Sequence, residues 1–187
     1  GHVFTADTTL YAQWATDTIT WSYNQDTKTL TISGAGPMPD YSTSDRTPWA
    51  AHESEMTQVI INSGVTSIGR DAFLDCSSLT GITIPEGVTS IGGYAFSRCS
   101  NLTGVILPGT LNSIGEYAFN GCSMLTDIHF GGKRAEWEAL SVTLPTDESG
   151  ATFTAVHCTD DPGWVYDDAT KTLTIIDLNG GWSASKD

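Results

Sequence analysis

Four short bursts of alternating residues mark the middle of the chain: Val59-Ile60-Ile61, Ile82-Thr83-Ile84, Val105-Ile106-Leu107 and Ile128-His129-Phe130. Alternation at period two predicts strands, with the first and third residues on one face and the middle one on the other. Pro85 and Pro108 follow the second and third bursts and end them, since proline donates nothing to a strand ladder. A different spacing comes next. Ile91, Ala95, Phe96 and Cys99 are separated by steps of four, one and three, which places one apolar stripe on a short helical turn.

The whole pattern recurs with a step of 23 residues. Ile68, Ile91 and Ile114 keep it, as do Gly69, Gly92 and Gly115, Phe73, Phe96 and Phe119, and Cys76, Cys99 and Cys122. A fixed period in this range predicts a stacked repeat architecture in which no unit buries its apolar face alone. The expected fold is therefore an α/β, right-handed solenoid of 23-residue coils. Short parallel strands would line its concave face and short helical turns its convex face. The run from Leu79 through Ile82 to Ile84 also fits the leucine-rich-repeat signature L-x-x-L-x-L.

The ends of such a stack need covering. The stretch from Lys133 to Leu140 predicts a short helix with Trp137 and Leu140 on one side. Upstream, Trp21-Ser-Tyr23-Asn-Gln-Asp-Thr-Lys-Thr-Leu-Thr-Ile32 reads as a β-hairpin cap around a polar turn, and it recurs as Trp164-Val-Tyr166-Asp-Asp-Ala-Thr-Lys-Thr-Leu-Thr-Ile175. The predicted organisation is the tail of a preceding β module over residues 1–16 and a hairpin cap over 17–56. The repeats follow over 57–130, a closing cap with a helix and a strand over 131–158, and the hairpin of a following module over 159–187.

Residues 57–158 resemble the BspA-type leucine-rich repeats of bacterial surface proteins. The resemblance rests on Ile84-Pro-Glu-Gly-Val-Thr-Ser-Ile-Gly-Gly-Tyr-Ala-Phe-Ser-Arg-Cys-Ser-Asn-Leu-Thr and on Phe130-Gly-Gly-Lys-Arg-Ala-Glu-Trp-Glu-Ala-Leu. Phe4-Thr-Ala-Asp-Thr-Thr-Leu-Tyr-Ala-Gln-Trp14 resembles the last strand of the Listeria–Bacteroides repeat family, small extracellular β modules. These likenesses imply an extracellular, cell-surface protein that adheres to host matrix, host cell-surface or bacterial partners, with no enzymatic activity. The chain reads as a piece of a longer protein, so signal and anchor are not expected within it.

Charge narrows the class of partner. The net charge is −14, of which residues 59–130 carry only −3. Nucleic acid phosphates and anionic lipid need Lys and Arg, so neither is an expected partner. No stretch reaches the 18 apolar residues of a membrane span. A monomer without cofactor is expected.

Chemistry is sparse. Cys76, Cys99 and Cys122 lack the close pairing of zinc ligands; stacking leaves them as buried thiols, with a disulfide or a metal site as alternatives. Cys158 falls outside their register, near Val156 in the closing strand. The histidines form no metalloenzyme motif, and Asp160-Asp161 and Asp167-Asp168 lack a calcium-loop pattern. The candidate binding row is the concave one: Gln58, Ile60, Thr83, Ile106, Asp127 and His129. Asp127 and His129 read either as ligand contacts or as a solvated edge pair on the last strand. Tyr94 and Tyr117, on the convex side, read either as a platform for a sugar or as a shield for the turn. The expected function is a protein-binding scaffold, with a carbohydrate-binding module or a passive spacer as alternatives.

Overall fold

The computed structural model describes residues 19–145 and 154–160, and the backbone of 164–167 and 172–175. The resemblance over residues 4–14 and the acids Asp161 and Asp168 lie outside the described residues. Two antiparallel strands, β1 (Thr20–Asn24) and β2 (Thr29–Ser33), open the fold as a hairpin. The third, β3 (Gly36–Pro37), precedes a single 3-10 turn at Ala50–His52. Then come β4 (Gln58–Ile61), β5 (Val65–Ile68), β6 (Gly81–Thr83), β7 (Ser90–Ile91), β8 (Gly104–Leu107), β9 (Ser113–Ile114) and β10 (Asp127–Phe130). Helix α1 (Arg134–Ala139) follows, then β11 (Ala155–Cys158), β12 (Trp164–Asp167) and β13 (Thr172–Ile175).

The alternating bursts are strands of one seven-stranded sheet in the order β1-β2-β4-β6-β8-β10-β11, parallel from β2 onward. Its register holds the sequence period: Val59 lies beside Ile82, Ile82 beside Val105, and Val105 beside Ile128. These four are buried, as are Ile61, Leu107 and Phe130 two residues on. The hairpin joins through β2, where Leu30 pairs with Val59 and Ile32 with Ile61. At the other end β10 is not the last strand. β11 lies parallel to it and pairs His157 with His129.

The turn after each strand departs from expectation. Ser90 and Ile91 belong to a second, four-stranded sheet, β3-β5-β7-β9, and the expected helical turn after them is a non-helical turn. Two residues per repeat take positive φ there: Asp71 and Asp75, Tyr94 and Arg98, Tyr117 and Gly121. A left-handed residue breaks the helical i→i−4 pattern. Alternate amides instead reach the next repeat, as the Asp71, Phe73 and Asp75 N–H groups donate to the Gly93, Ala95 and Ser97 carbonyls at 3.1, 2.7 and 2.9 Å. The Tyr94, Phe96 and Arg98 N–H groups repeat the arrangement one step later.

Aromatic rings stack through the core. Trp49, Phe73, Phe96 and Phe119 form one buried column with centroid spacings of 5.9, 5.3 and 5.6 Å, and the Trp49 indole donates to the Ala72 carbonyl. The cysteines are buried thiols. Cys99 Sγ donates to the Phe73 carbonyl at 3.2 Å and Cys122 Sγ to that of Phe96 at 3.0 Å. Gly92 is required by the stack, because a Cβ there would lie 2.4 Å from the Arg70 nitrogen. Near the end of the array, the predicted helix forms over Arg134–Ala139, with Glu136 accepting from the Lys133 N–H at 2.7 Å. Its buried Trp137 packs on Phe130.

Candidate interaction surface

The outward positions of the seven-stranded sheet alternate with buried ones, so each strand sends every second side chain away from the core. Gln58 and Ile60 on β4 are exposed, as is Thr83 on β6; Ile106 on β8 and Asp127 and His129 on β10 are half-buried. The ladder places all six on four adjacent strands. Ile60 pairs with Thr83, Thr83 with Ile106, and Ile106 with His129. Gln58 and Asp127 end a parallel row whose middle positions are Gly81 and Gly104. With no side chains at its centre, that row is a shallow channel beside the Ile60–His129 ridge. Ile60, at 41% exposure, is the apolar high point of the ridge.

The flanking strands extend both rows, and sequence reasoning missed these additions. Thr31 continues the ridge beyond Ile60, and Thr29 donates to Gln58 Oε1 at 3.2 Å. At the far end His157 continues the ridge beyond His129. Their rings stack at 4.8 Å with 20° between planes. Asp127 Oδ1 sits 3.4 Å from His157 Nε2, and its other oxygen accepts from the Thr126 hydroxyl at 2.7 Å. Burial and then the neighbouring His157 lower the His129 pKa, against a smaller opposing pull from Asp127. Asp127 and His129 are thus a partly solvated pair that His157 joins from β11, and β10 is not the edge strand. The signal that could have found His157 is the second alternating Ala155-Val156-His157-Cys158.

A further cluster had no sequence signature. Glu55 accepts from Lys28 Nζ at 2.9 Å and lies 2.8 Å from His52 Nδ1, and the His52 ring stacks on Tyr23 at 4.0 Å. Hydrogen bonds from Lys28 and His52 hold the Glu55 carboxyl below its ordinary pKa, while burial and then Glu55 raise that of the Tyr23 phenol. This cluster ties the hairpin to the 3-10 turn.

On the turn side, Tyr94 and Tyr117 stack at 5.2 Å with 25° between planes. Tyr94 is half-buried and Tyr117 exposed. A shallow cleft near Tyr41 and Asp75 contains Arg46, which pairs with Glu53 inside it. Among the described residues no group of three His, Cys, Asp or Glu is placed to hold a metal ion. Nor is any helix there long and apolar enough to cross a membrane.

Comparison with known proteins places this architecture. Residues 50–139 match the BspA type leucine-rich repeat region, in six copies. A solved leucine-rich repeat protein from Eubacterium ventriosum is 28% identical over 83% of this chain and 45% of its own, with a TM-score of 0.51. One from Bacteroides ovatus is 25% identical over 67% of this chain and 28% of its own, at 0.50. A leucine rich cell surface protein from Faecalibacterium prausnitzii is 23% identical over 73% of this chain and 43% of its own, at 0.49. The chain thus spans less than half the length of each. No curated protein matches it. The period, the parallel register and the family match lead to one assignment: residues 50–139 form a BspA-type leucine-rich repeat region.

Proposed function

We propose that this chain is a non-enzymatic binding scaffold of a bacterial cell-surface protein, which holds an extracellular protein partner on the outer face of its seven-stranded sheet. The repeats form a right-handed solenoid, and that face is its concave side. The hairpin β1–β2 caps the array, and β12–β13, with the same pairing of Trp to Ile and Tyr to Leu, opens a following module. The observation that carries the reading is the register of Ile60, Thr83, Ile106 and His129 across four adjacent strands. A repeat array displays such a ridge rigidly over a long span, which suits an extended protein partner. The ridge is poor in aromatics, so its affinity would come from complementarity along its length more than from one anchor. The chain acts as a monomer, and its partner is a host matrix or cell-surface protein.

The test is binding of the intact chain to immobilised extracellular-matrix proteins, beside a variant carrying Ile60→Asp and Ile106→Asp. Both side chains face outward, so the circular dichroism spectrum should be unchanged while affinity falls at least about tenfold. Equal binding by the variant rejects the sheet face. Binding to no protein favours a passive spacer, and retention on neutral glycans alone favours a carbohydrate-binding module.

A further inference from the structure

The tyrosines on the turn side occupy a backbone position that does not suit them. Asp71, Tyr94 and Tyr117 are equivalent residues one repeat apart, with φ of 55°, 57° and 60°. Asp, Asn and Gly take this left-handed conformation readily, whereas for a bulky side chain it is a strained outlier. Asp71 meets the preference and the two tyrosines do not. Backbone strain of this kind points toward a use for the side chain.

The column these rings build shows what that use is. Arg70, in the preceding repeat, lays its guanidinium over Tyr94, with Cζ 5.1 Å from the ring centroid. Tyr117, in the following repeat, stacks on Tyr94 at 5.2 Å. The half-buried Tyr94 ring therefore has a cation before it and a second ring after it. The column ends at Tyr117. One step further along the chain is Leu140, which follows α1 and packs against the core. Tyr117 is left 45% exposed, and no other Phe, Tyr or Trp among the described residues is exposed. Glu116 beside it is exposed as well, on a protein with a net charge of −14 and only 8 Lys and Arg.

We propose that the exposed ring of Tyr117 is a docking point for an arginine side chain of a basic protein partner, on a surface separate from the sheet face. The bound guanidinium would repeat at one end of the column the contact that Arg70 makes at the other. Ring quadrupole and the carboxylate of adjacent Glu116 both favour a cation there, and the net charge of −14, most of it outside residues 59–130, favours the approach of a basic partner to the protein as a whole. An anionic ligand would meet the opposite field.

The experiment titrates the full chain with a short arginine-rich peptide and with its citrulline counterpart, which keeps the planar head group without the charge. The readout is the aromatic NMR resonances of Tyr117 and Tyr94. The arginine peptide should shift both, and the citrulline peptide neither. Tyr117→Phe should bind as the parent does. Tyr117→Asn, which suits the left-handed backbone, should keep or raise the Tm yet weaken binding about fivefold, the equivalent of about 1 kcal/mol. Glu116→Gln should weaken binding and flatten its salt dependence. Ile60→Asp should change nothing, which separates this site from the sheet face. Equal binding of the citrulline peptide, undiminished binding by Tyr117→Asn, or loss with Ile60→Asp overturns the proposal. So does a shift of Tyr117 by a neutral oligosaccharide with no response to the arginine peptide.

Discussion

Cys76, Cys99 and Cys122 show how a reactive group becomes an inert one through position alone. Contact with Cys99 and then burial raise the Cys122 thiol far above its ordinary pKa, and its S–H already donates to a carbonyl. A thiol reacts as its thiolate, so the native protein should resist a thiol reagent at pH 8 that titrates four cysteines after denaturation without reductant. A denatured count of two would reveal a disulfide and refute the arrangement. His129 is the opposite case, a group poised to change charge. Its folded pKa lies below the ordinary imidazole value, so the folded state binds its proton less readily than the unfolded chain does. The associated stability is complete above that ordinary value and is lost as pH falls through the lowered folded pKa. His129→Gln should flatten the acid limb of a Tm-against-pH curve as pH falls below the ordinary imidazole value of about 6.5. An unchanged limb would show that the stacked pair contributes nothing to it.

At the scale of the element, the sequence was legible where side-chain period decides the structure. The strands on the seven-stranded sheet follow directly from alternation, and the glycine row from its fixed step. The turn was misread because Ile91, Ala95, Phe96 and Cys99 satisfy a helical stripe and a doubly left-handed turn equally well. Among its positive-φ residues Asp71, Asp75 and Gly121 suit the second conformation, whereas Tyr94, Arg98 and Tyr117 conceal it. The four-stranded sheet was hidden for a simpler reason: strands as short as Ser90–Ile91 carry no period. The Tyr23–His52–Glu55 cluster draws on residues brought together only by folding, and no motif links them. Close backbone stacking also yields a sharp test. Gly92→Ala forces a Cβ into the neighbouring repeat's backbone and should cost about 1–3 kcal/mol or more in urea unfolding. Gly81→Ala meets its nearest atom at 3.7 Å and should stay within about 0.5 kcal/mol. Equal costs at the two sites would show that backbone approach does not set the tolerance of the stack.

For the whole molecule, the two sheets and the turn ladder repeat one set of contacts, so each repeat leans on its neighbours and on the strands that flank the array. At the start, the hairpin hands its register to β4 through β2. At the far end β11 continues the ladder past β10, and Trp137 covers Phe130. Candidate binding residues are distributed in the same way, across four strands and extended by Thr31 and His157 from the flanks. Their in-register placement could be read from the period, whereas the contribution of the flanks could not. That contribution depends on which strands dock onto the ends, and end strands leave no trace in a 23-residue pattern.

The amides that leave each turn for the next repeat give the array a mechanical direction. Those bonds, like the strand ladders beside them, run from repeat to repeat. Tension applied to the two ends of the chain therefore loads them one row after another and not all rows in parallel. Under an optical trap the array should lengthen in steps, each surrendering 23 residues and adding up to about 80 Å of slack. A single rip of the whole array would show that the rows share the load. In the proposed role as a surface scaffold, an array that yields row by row would absorb a pull as extension before a bound partner is lost.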